Sequence, residues 1–339
     1  MTIFTSPKIA CFGEVLIRLS APAGERLLSS PALSTHVGGA ELNVASALAA
    51  YGLPARMISV LPDNALGHEA RREVAGRGLD VQHLTHASGR LGLYFQEPGS
   101  DLRAGNIVYD RADSAFAKIT PNAIDVDDIL EGCNWLHISG VTLALGEDVA
   151  NSAIKLAQAA ARNDIDVSFD FNHRAKLWAA WGGEPAPFLK QMMETATVVM
   201  GNDFDLMKVL NEPKARATRS LHLADTALAT FPRLRAIASA YRTVERNEKH
   251  RLRGELVTRD MRAQTEEIIL ENVVDRVGGG DAFAAGLIAS FAKELAPEII
   301  LDHAFASMVL KHGWRGDATR STWEEVATFD LAAGGDVKR

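Results

Sequence analysis

The chain has 339 residues, 47% hydrophobic and 23% charged, with a formal net charge of −7 and an isoelectric point near 5.8. That is enough to bury a large core in one α/β domain or two smaller ones, and the acidic balance argues against a nucleic-acid partner. No apolar run approaches the ~20 residues of a membrane span. The opening strand-like run, Lys8 to Phe12, leads straight into Gly13-Glu14, which is not a signal-peptide pattern. Cys11 and Cys133 stand in apolar strand-like runs without C-x-x-C spacing and read as buried reduced thiols. A cytoplasmic protein is therefore expected, with neither nucleic-acid nor membrane partners.

The first part of the chain, to about residue 115, reads as short strands and turns. Ile9–Phe12, Val15–Leu19, Ala55–Val60, Leu91–Gln96 and Ile107–Tyr109 have strand composition, and a small-residue helix runs from Ala40 to Tyr51 until Gly52 stops it. Strands and helices then alternate: Trp135–Ile138 strand, Asp148–Asn163 helix, Asp166–Asp170 strand, Pro187–Thr197 helix, Val198–Met200 strand. This alternation predicts a parallel sheet covered on both faces, with ligands at the C-terminal ends of its strands. Ser139-Gly140, the segment Asp170 to Arg174, and Gly201-Asn202-Asp203 each follow a strand and are expected to open onto one sheet edge with the glycine loop described next. Residues 242–253 are strongly charged with little periodicity. They read as a solvated loop or hairpin, with Arg242 as a candidate nucleotide contact.

Residues 275–286 read Asp-Arg-Val-Gly-Gly-Gly-Asp-Ala-Phe-Ala-Ala-Gly. Three glycines, Gly278, Gly279 and Gly280, at the start of a helical apolar pattern leave backbone N–H groups uncovered. Together with the helix dipole, these make a cradle for a phosphate or an oxyanion. Asp281 stands inside that cradle. It is either a first-turn acid that complements the dipole or a general base for a hydroxyl attacking a phosphoryl group held by the loop. There is no G-x-x-x-x-G-K-[ST] sequence, so a P-loop is excluded, and the loop lies too far from the first strand for a dinucleotide fold.

Val277 to Gly286 resembles the C-terminal signature of the ribokinase-like (PfkB) carbohydrate kinases, with Gly279 where that family usually has alanine. Val37-Gly38-Gly39-Ala40-Glu41-Leu42-Asn43-Val44-Ala45 resembles its N-terminal sugar-binding signature, more than 230 positions earlier. The resemblance implies a ribokinase-like α/β fold, with a mostly parallel central sheet flanked by helices on both faces and a small β-sheet lid. It further implies one domain over residues 1–339, with lid strands inserted at about 13–37 and 90–112. The finer pattern is similar to the 2-keto-3-deoxygluconate kinases, in which Gly39, Ala40 and Asn43 would face the sugar. Gly92-Leu93-Tyr94-Phe95 and Val108-Tyr109-Asp110-Arg111 look like that branch's lid strands, so Tyr94, Tyr109 and Arg111 become candidates to close over the substrate. An arginine can pair bidentately with a keto-acid carboxylate, and a tyrosine offers a sugar a hydroxyl and a flat face. Plain cross-strand packing would explain the tyrosines equally well, and an exposed lid charge the arginine.

Asp170-Phe171-Asn172-His173-Arg174 resembles the family's Asp-x-Asn-x-Arg loop. By that likeness Arg174 faces the substrate or the transferred phosphate, Asp170 organises the loop, and His173 is a surface or packing residue. Asn202 to Asp205 resembles the Asn-x-x-Glu motif that governs magnesium and phosphate, with Asp205, one methylene shorter, reaching a metal through water. A helix N-cap would explain the same pattern. Asp317, in the Gly316-Asp317 turn, is a further substrate candidate against plain turn chemistry. From Ser239 no glycine appears until Gly254, so the family's Gly-rich nucleotide turn has no counterpart there.

The implied reaction is ATP-dependent phosphorylation of the terminal hydroxyl of 2-keto-3-deoxy-D-gluconate. Asp281 is the base, Gly278 to Gly280 form the anion hole, and Asn202, Arg242, Gly278 and Gly280 attend the nucleotide. The implied cofactors are ATP and Mg²⁺, with a monovalent cation as an optional third, and the implied assembly is a homodimer through the lid or a higher homo-oligomer. The alternatives are a fructokinase, a 5-dehydro-2-deoxygluconate kinase, or a sugar sensor without turnover.

Overall fold

The computed structural model describes residues 8–211, 220–246 and 248–330. In chain order its strands are β1 (Ile9–Phe12), β2 (Leu16–Ser20), β3 (Ser34–Gly38), β4 (Ala55–Pro62), β5 (Leu84–Ala87), β6 (Gly92–Glu97) and β7 (Asn106–Asp110). There follow β8 (Trp135–Ser139), β9 (Asp166–Asp170), β10 (Val198–Met200), β11 (Ala236–Arg246), β12 (Lys249–Thr258), β13 (Arg262–Gln264) and β14 (Ile268–Leu270). The strands and helices expected from the sequence occur within two residues of their expected bounds.

Ten strands form the main sheet in the order β13-β12-β11-β10-β9-β8-β1-β4-β5, with β14 also paired to β12. From β11 across to β5 every pairing is parallel, and the hairpin edge is antiparallel. The central strands β1, β8 and β10 are buried along their whole length, as a sheet covered on both faces requires. The period of two assigns their side chains. Ala10 and Phe12 join the core under helices Glu147–Arg162 and Pro185–Thr195, while Ile9 and Cys11 join the core under Ala40–Ala50, Gly279–Ala292 and Pro297–Lys311. The fold is thus a ribokinase-like mixed sheet, mostly parallel. Among the described residues no helix is long and apolar enough to cross a membrane.

A second sheet, β3-β2-β6-β7, takes its strands from residues 34–38, 16–20, 92–97 and 106–110. Strands β2 and β6 pair in parallel, and the other two pairings are antiparallel. This small sheet stands over the C-terminal ends of the parallel strands as a lid. β7 is alternately exposed and half-buried, whereas β2 buries Leu16, Arg18 and Ser20. The charged stretch 242–253 is the β11–β12 hairpin, with Asn247 at its tip outside the described residues. Its period was hidden because the inward positions of β12 are His250, Leu252, Gly254 and Leu256, two of which are not apolar side chains.

Helices Gly279–Ala292 and Pro297–Lys311 pack closely at Gly286. A Cβ there would lie 2.9 Å from the Ala304 Cα and from the His303 carbonyl oxygen. Replacing a helical glycine by alanine ordinarily stabilises by about 0.5–1 kcal/mol. Here the sign reverses: Gly286→Ala is expected to lower unfolding stability by about 1–3 kcal/mol in a urea titration, and a gain would show that the two helices separate freely.

Candidate active site

The helix Gly279–Ala292 begins without a side-chain cap; Gly278 precedes it in the left-handed region at φ 78°. That backbone favours glycine. A Cβ at 278 would also collide with the carbonyl oxygen of Asp317, which packs against the loop from the C-terminal turn. At Gly279 an added methyl would come within 2.9 Å of the His312 Cε1, so the methyl missing relative to the family signature is replaced by an imidazole edge. Gly280 faces open space. The Gly279 N–H donates back to the Arg276 carbonyl at 3.4 Å, while those of Gly280 and Asp281 have no partner among the described residues and stand at a cleft of about 650 Å³.

The cleft collects the predicted residues from distant elements. Gly39, Ala40 and Asn43 come from the start of one helix, and Tyr94, Tyr109 and Arg111 from the lid. Arg174 and Asn202 follow β9 and β10, Arg242 lies on β11, and Gly278 to Asp281 and Asp317 complete the wall. Asn43, expected from the resemblance to face the sugar, donates its amide N–H to Asp281 Oδ2 at 2.6 Å and so orients that carboxylate. Burial pushes the Asp281 carboxyl up to about 6, against the Asn43 bond and the Arg174 charge, which favour the anion. Asp170 is raised to about 7 by burial and by the nearby Asp281, and its Oδ1 accepts the Asn172 N–H at 3.1 Å, organising its own loop.

One expected metal contact is placed differently. Asp205 does not line the cleft. Its Oδ2 accepts the Asn202 N–H at 3.2 Å, and Asn202 Oδ1 accepts from Phe204 and Asp205, closing a capping box at helix Asp203–Leu210. An aspartate three residues after the cap reaches back to the chain, and its short stem keeps it there. Among the described residues, the only cluster of three His, Cys, Asp or Glu with metal-ligand spacing is Asp63, His68 and His86, which is not part of this cleft. Mg²⁺ commonly keeps much of its shell as water and phosphate oxygens and needs no such cluster.

The other side of the cleft is cationic. Arg174, Arg242 and Arg276 all line it, and among the described residues none of the three pairs with a carboxylate. Arg276 carried no sequence signal beyond its place before the glycines. Toward the lid, Tyr94 and Tyr109 face each other across β6 and β7 with ring centroids 6.3 Å apart, and the Tyr94 hydroxyl donates to Asp317 Oδ2 at 2.8 Å. Arg111 lines the cleft, but its Nε is held by Glu14 Oε2 at 2.6 Å, and Glu14 also accepts from Ser114. Glu14 was not singled out in the sequence, and neither was Arg18.

Arg18 is 1% exposed, at an inward position of lid strand β2. Its Nη2 donates to Asp275 Oδ2 at 2.8 Å and its Nη1 to Gln96 Oε1 at 3.0 Å, while Nε lies 2.9 Å from Asp317 Oδ1. Asp275 also accepts the backbone N–H groups of Val277 and Gly316. The guanidinium holds the Asp275 carboxyl below the usual carboxylate range despite burial, which acts the other way. The readable signal was a charge inside the apolar run Leu16-Ile17-Arg18-Leu19. Arg18→Met strands two buried carboxylates and is expected to cost about 3–5 kcal/mol in chemical denaturation; a loss below about 1 kcal/mol would mean that solvent already screens the pair.

Comparison with known proteins identifies the family. The family described as "pfkB family carbohydrate kinase" matches residues 6–322. A 2-dehydro-3-deoxygalactonokinase of Haloferax volcanii is 30% identical over 331 residues, covering 97% of this chain and 98% of the relative. Among solved structures, a PfkB family carbohydrate kinase from Listeria grayi superposes with TM-score 0.88 at 31% identity, over 94% of this chain and 98% of that one. A 2-dehydro-3-deoxygluconokinase from Thermotoga maritima also gives TM-score 0.88, at 28% identity over 95% and 98%. The chain is a member of the pfkB family of carbohydrate kinases.

Proposed function

We propose that the cleft transfers a phosphoryl group from ATP to the terminal hydroxyl of a 2-keto-3-deoxy sugar acid, 2-keto-3-deoxy-D-gluconate being the preferred substrate. The observation that carries this reading is the placement of Asp281. An oriented carboxylate with a raised pKa stands at an uncapped helix N-terminus, between a tyrosine-lined lid and three arginines that pair with no carboxylate among the described residues. Relatives and a solved structure named for 2-dehydro-3-deoxy sugar acids support the substrate class.

The sugar lies under the lid, with Tyr94, Tyr109 and Arg111 above it and Gly39, Ala40 and Asn43 beside it. Asp281 Oδ accepts the hydroxyl proton as that oxygen attacks the γ-phosphorus, and Asn43 holds the carboxylate in line. The N–H groups of the Gly278 to Asp281 turn meet the charge that develops on the transferred phosphoryl. Arg174, Arg242 and Arg276 hold the nucleotide's phosphates, and Asn202 borders them. Mg²⁺, when bound, supplies charge neutralisation between phosphate oxygens. The lid sheet keeps water from competing for the phosphoryl group.

A neutral-sugar kinase of the same family remains the second reading, because the Glu14 carboxylate already balances the Arg111 charge. Arg111→Ala decides between them: a KM for the keto acid about tenfold higher or more supports carboxylate pairing, and an unchanged KM with preference for fructose supports the neutral sugar. The first assay couples ADP release to the keto acid, fructose and ribose. Asp281→Asn is expected to lower kcat about 10²–10⁴-fold on the true substrate.

The pH dependence has a definite sign. A base acts only when deprotonated, so kcat/KM falls as pH drops through about 6, the raised Asp281 pKa, and levels off above it. An acidic limb centred near 4, or one retained in Asp281→Asn, would assign the proton transfer elsewhere. The lid also suggests a homodimer. β7 leaves an edge open and Val108 is 45% exposed on it. Light scattering should give twice the chain mass, and a monomer at micromolar concentration would reject lid pairing.

A further inference from the structure

Lys311, the last residue of helix Pro297–Lys311, is fully buried, yet it forms no ion pair with a carboxylate among the described residues. Its Nζ donates to two backbone carbonyls, Asp275 O at 3.3 Å and Trp314 O at 3.0 Å. Withdrawing an ammonium from water costs several kcal/mol, and neutral carbonyls return only part of that. An apolar side chain would fill the space without that cost. The position therefore calls for a charge.

The two carbonyls identify what the charge joins. Asp275 opens the four-residue segment that ends at Gly278, and Trp314 opens the turn that carries Asp317. Those segments already meet twice, Gly316 N–H donating to Asp275 Oδ2 at 3.2 Å and the Asp317 carbonyl packing on Gly278, and just before them Val274 N–H donates to His312 O at 2.9 Å. The Lys311 ammonium sits at their junction, behind the anion cradle. Burial lowers the Lys311 pKa, and Arg18 adds to that, while the carboxylates of Asp275, Asp317 and Asp281 act to keep the ammonium charged. Carbonyl oxygens converging on one positive centre are also how a protein binds a dissolved monovalent cation, the optional cofactor expected from the family resemblance.

We propose that Lys311 is a built-in monovalent cation. Its ammonium takes the place at which the two carbonyls would hold a dissolved ion, and it positions the glycine loop for phosphoryl transfer without potassium. Lys311 does not line the cleft, so its role is positioning. The proposal rests on the kinase reading above for its rate measurements but not for its melting temperatures.

The test compares wild type, Lys311→Ala and Lys311→Met in potassium, ammonium, methylammonium and tetramethylammonium chloride at matched ionic strength. Rates and melting temperatures are both recorded. Wild type is expected to turn over and melt alike in all four salts. Lys311→Ala should lose about 10–100-fold in kcat with little change in sugar KM, as a displaced loop would cause. It should recover rate and melting temperature in ammonium or methylammonium but not in tetramethylammonium, which is too large to enter. Lys311→Met fills the space without a charge and should stay slow in every salt. Stimulation of wild type several-fold by potassium would overturn the proposal, as would wild-type kcat in Lys311→Met. If no sugar acid is turned over by wild type, the substrate reading fails, and the melting temperatures still decide the cation question. If Lys311→Ala does not fold, the salt response of wild type and the rate of Lys311→Met decide it.

Discussion

The Arg18–Asp275 ion pair is the constraint on which the geometry of the site depends. Arg18 belongs to the lid and Asp275 to the approach of the glycine loop, so one bidentate contact fixes the distance between the roof of the cleft and its anion-binding wall. Taken alone, a buried pair of this kind contributes little net stability, because desolvation offsets the attraction. Its value is directional. Asp275 receives two guanidinium donors and two backbone N–H groups, and Arg18 reaches Gln96 and Asp317 as well, so neither partner can rotate without leaving charges unsatisfied. Asp317 passes the constraint on to Tyr94 in the lid and, through its carbonyl, to Gly278.

Around that frame the carboxylates divide by environment. Those facing guanidinium groups, such as Asp275, remain anions across the physiological range. Those buried beside apolar walls or one another are pushed up: Asp281 to about 6, and Asp170 and Glu41 each to about 7. Glu41 lies in the same N-terminal motif as Asn43 but turns the other way, accepting from the Ser139 N–H and the Thr142 hydroxyl to pin its helix to the end of β8. Two neighbours in one motif thus hold different partners, Glu41 the end of β8 and Asn43 the Asp281 carboxylate. Pushing pKa values apart with local surroundings is how a single cleft can hold a proton acceptor and fixed negative charges together.

Much of this was legible in the chain because the relevant signals are local. Glycines at a helix start, a strand followed by a polar cluster and a small-residue helix each leave a mark within a few residues, and β1, β4, β8, β9, β10 and the glycine turn follow from such marks, whereas Tyr94, Tyr109, Arg111 and Asp317 were expected only through the family resemblance. What was missed depends on contacts between distant segments. Arg18 meets a partner 257 positions away, Glu14 one 97 away, and the role of Lys311 depends on where a carbonyl 36 residues earlier comes to lie. Asp205 is a different case: its spacing fits both a cap and a water-mediated metal contact, and the folded backbone supplies the cap. The β11–β12 hairpin resisted periodicity because His250 and Gly254 occupy inward positions that a hydrophobic pattern does not register.

The parallel pairing of β2 with β6 has a consequence for how such a protein can diversify. Because the lid is stitched from two separate excursions, neither loop can form it alone, yet each leaves the main sheet and returns to it without disturbing the parallel core. Changes of length or composition in β3 or β7, the outer strands, would reshape the roof of the cleft. The glycine turn, the oriented aspartate and the arginines belong to other segments and would stay in place. Under the proposed function, selectivity and reactivity are then separable traits, and the outer lid strands are where a laboratory or a lineage can vary the first without rebuilding the second.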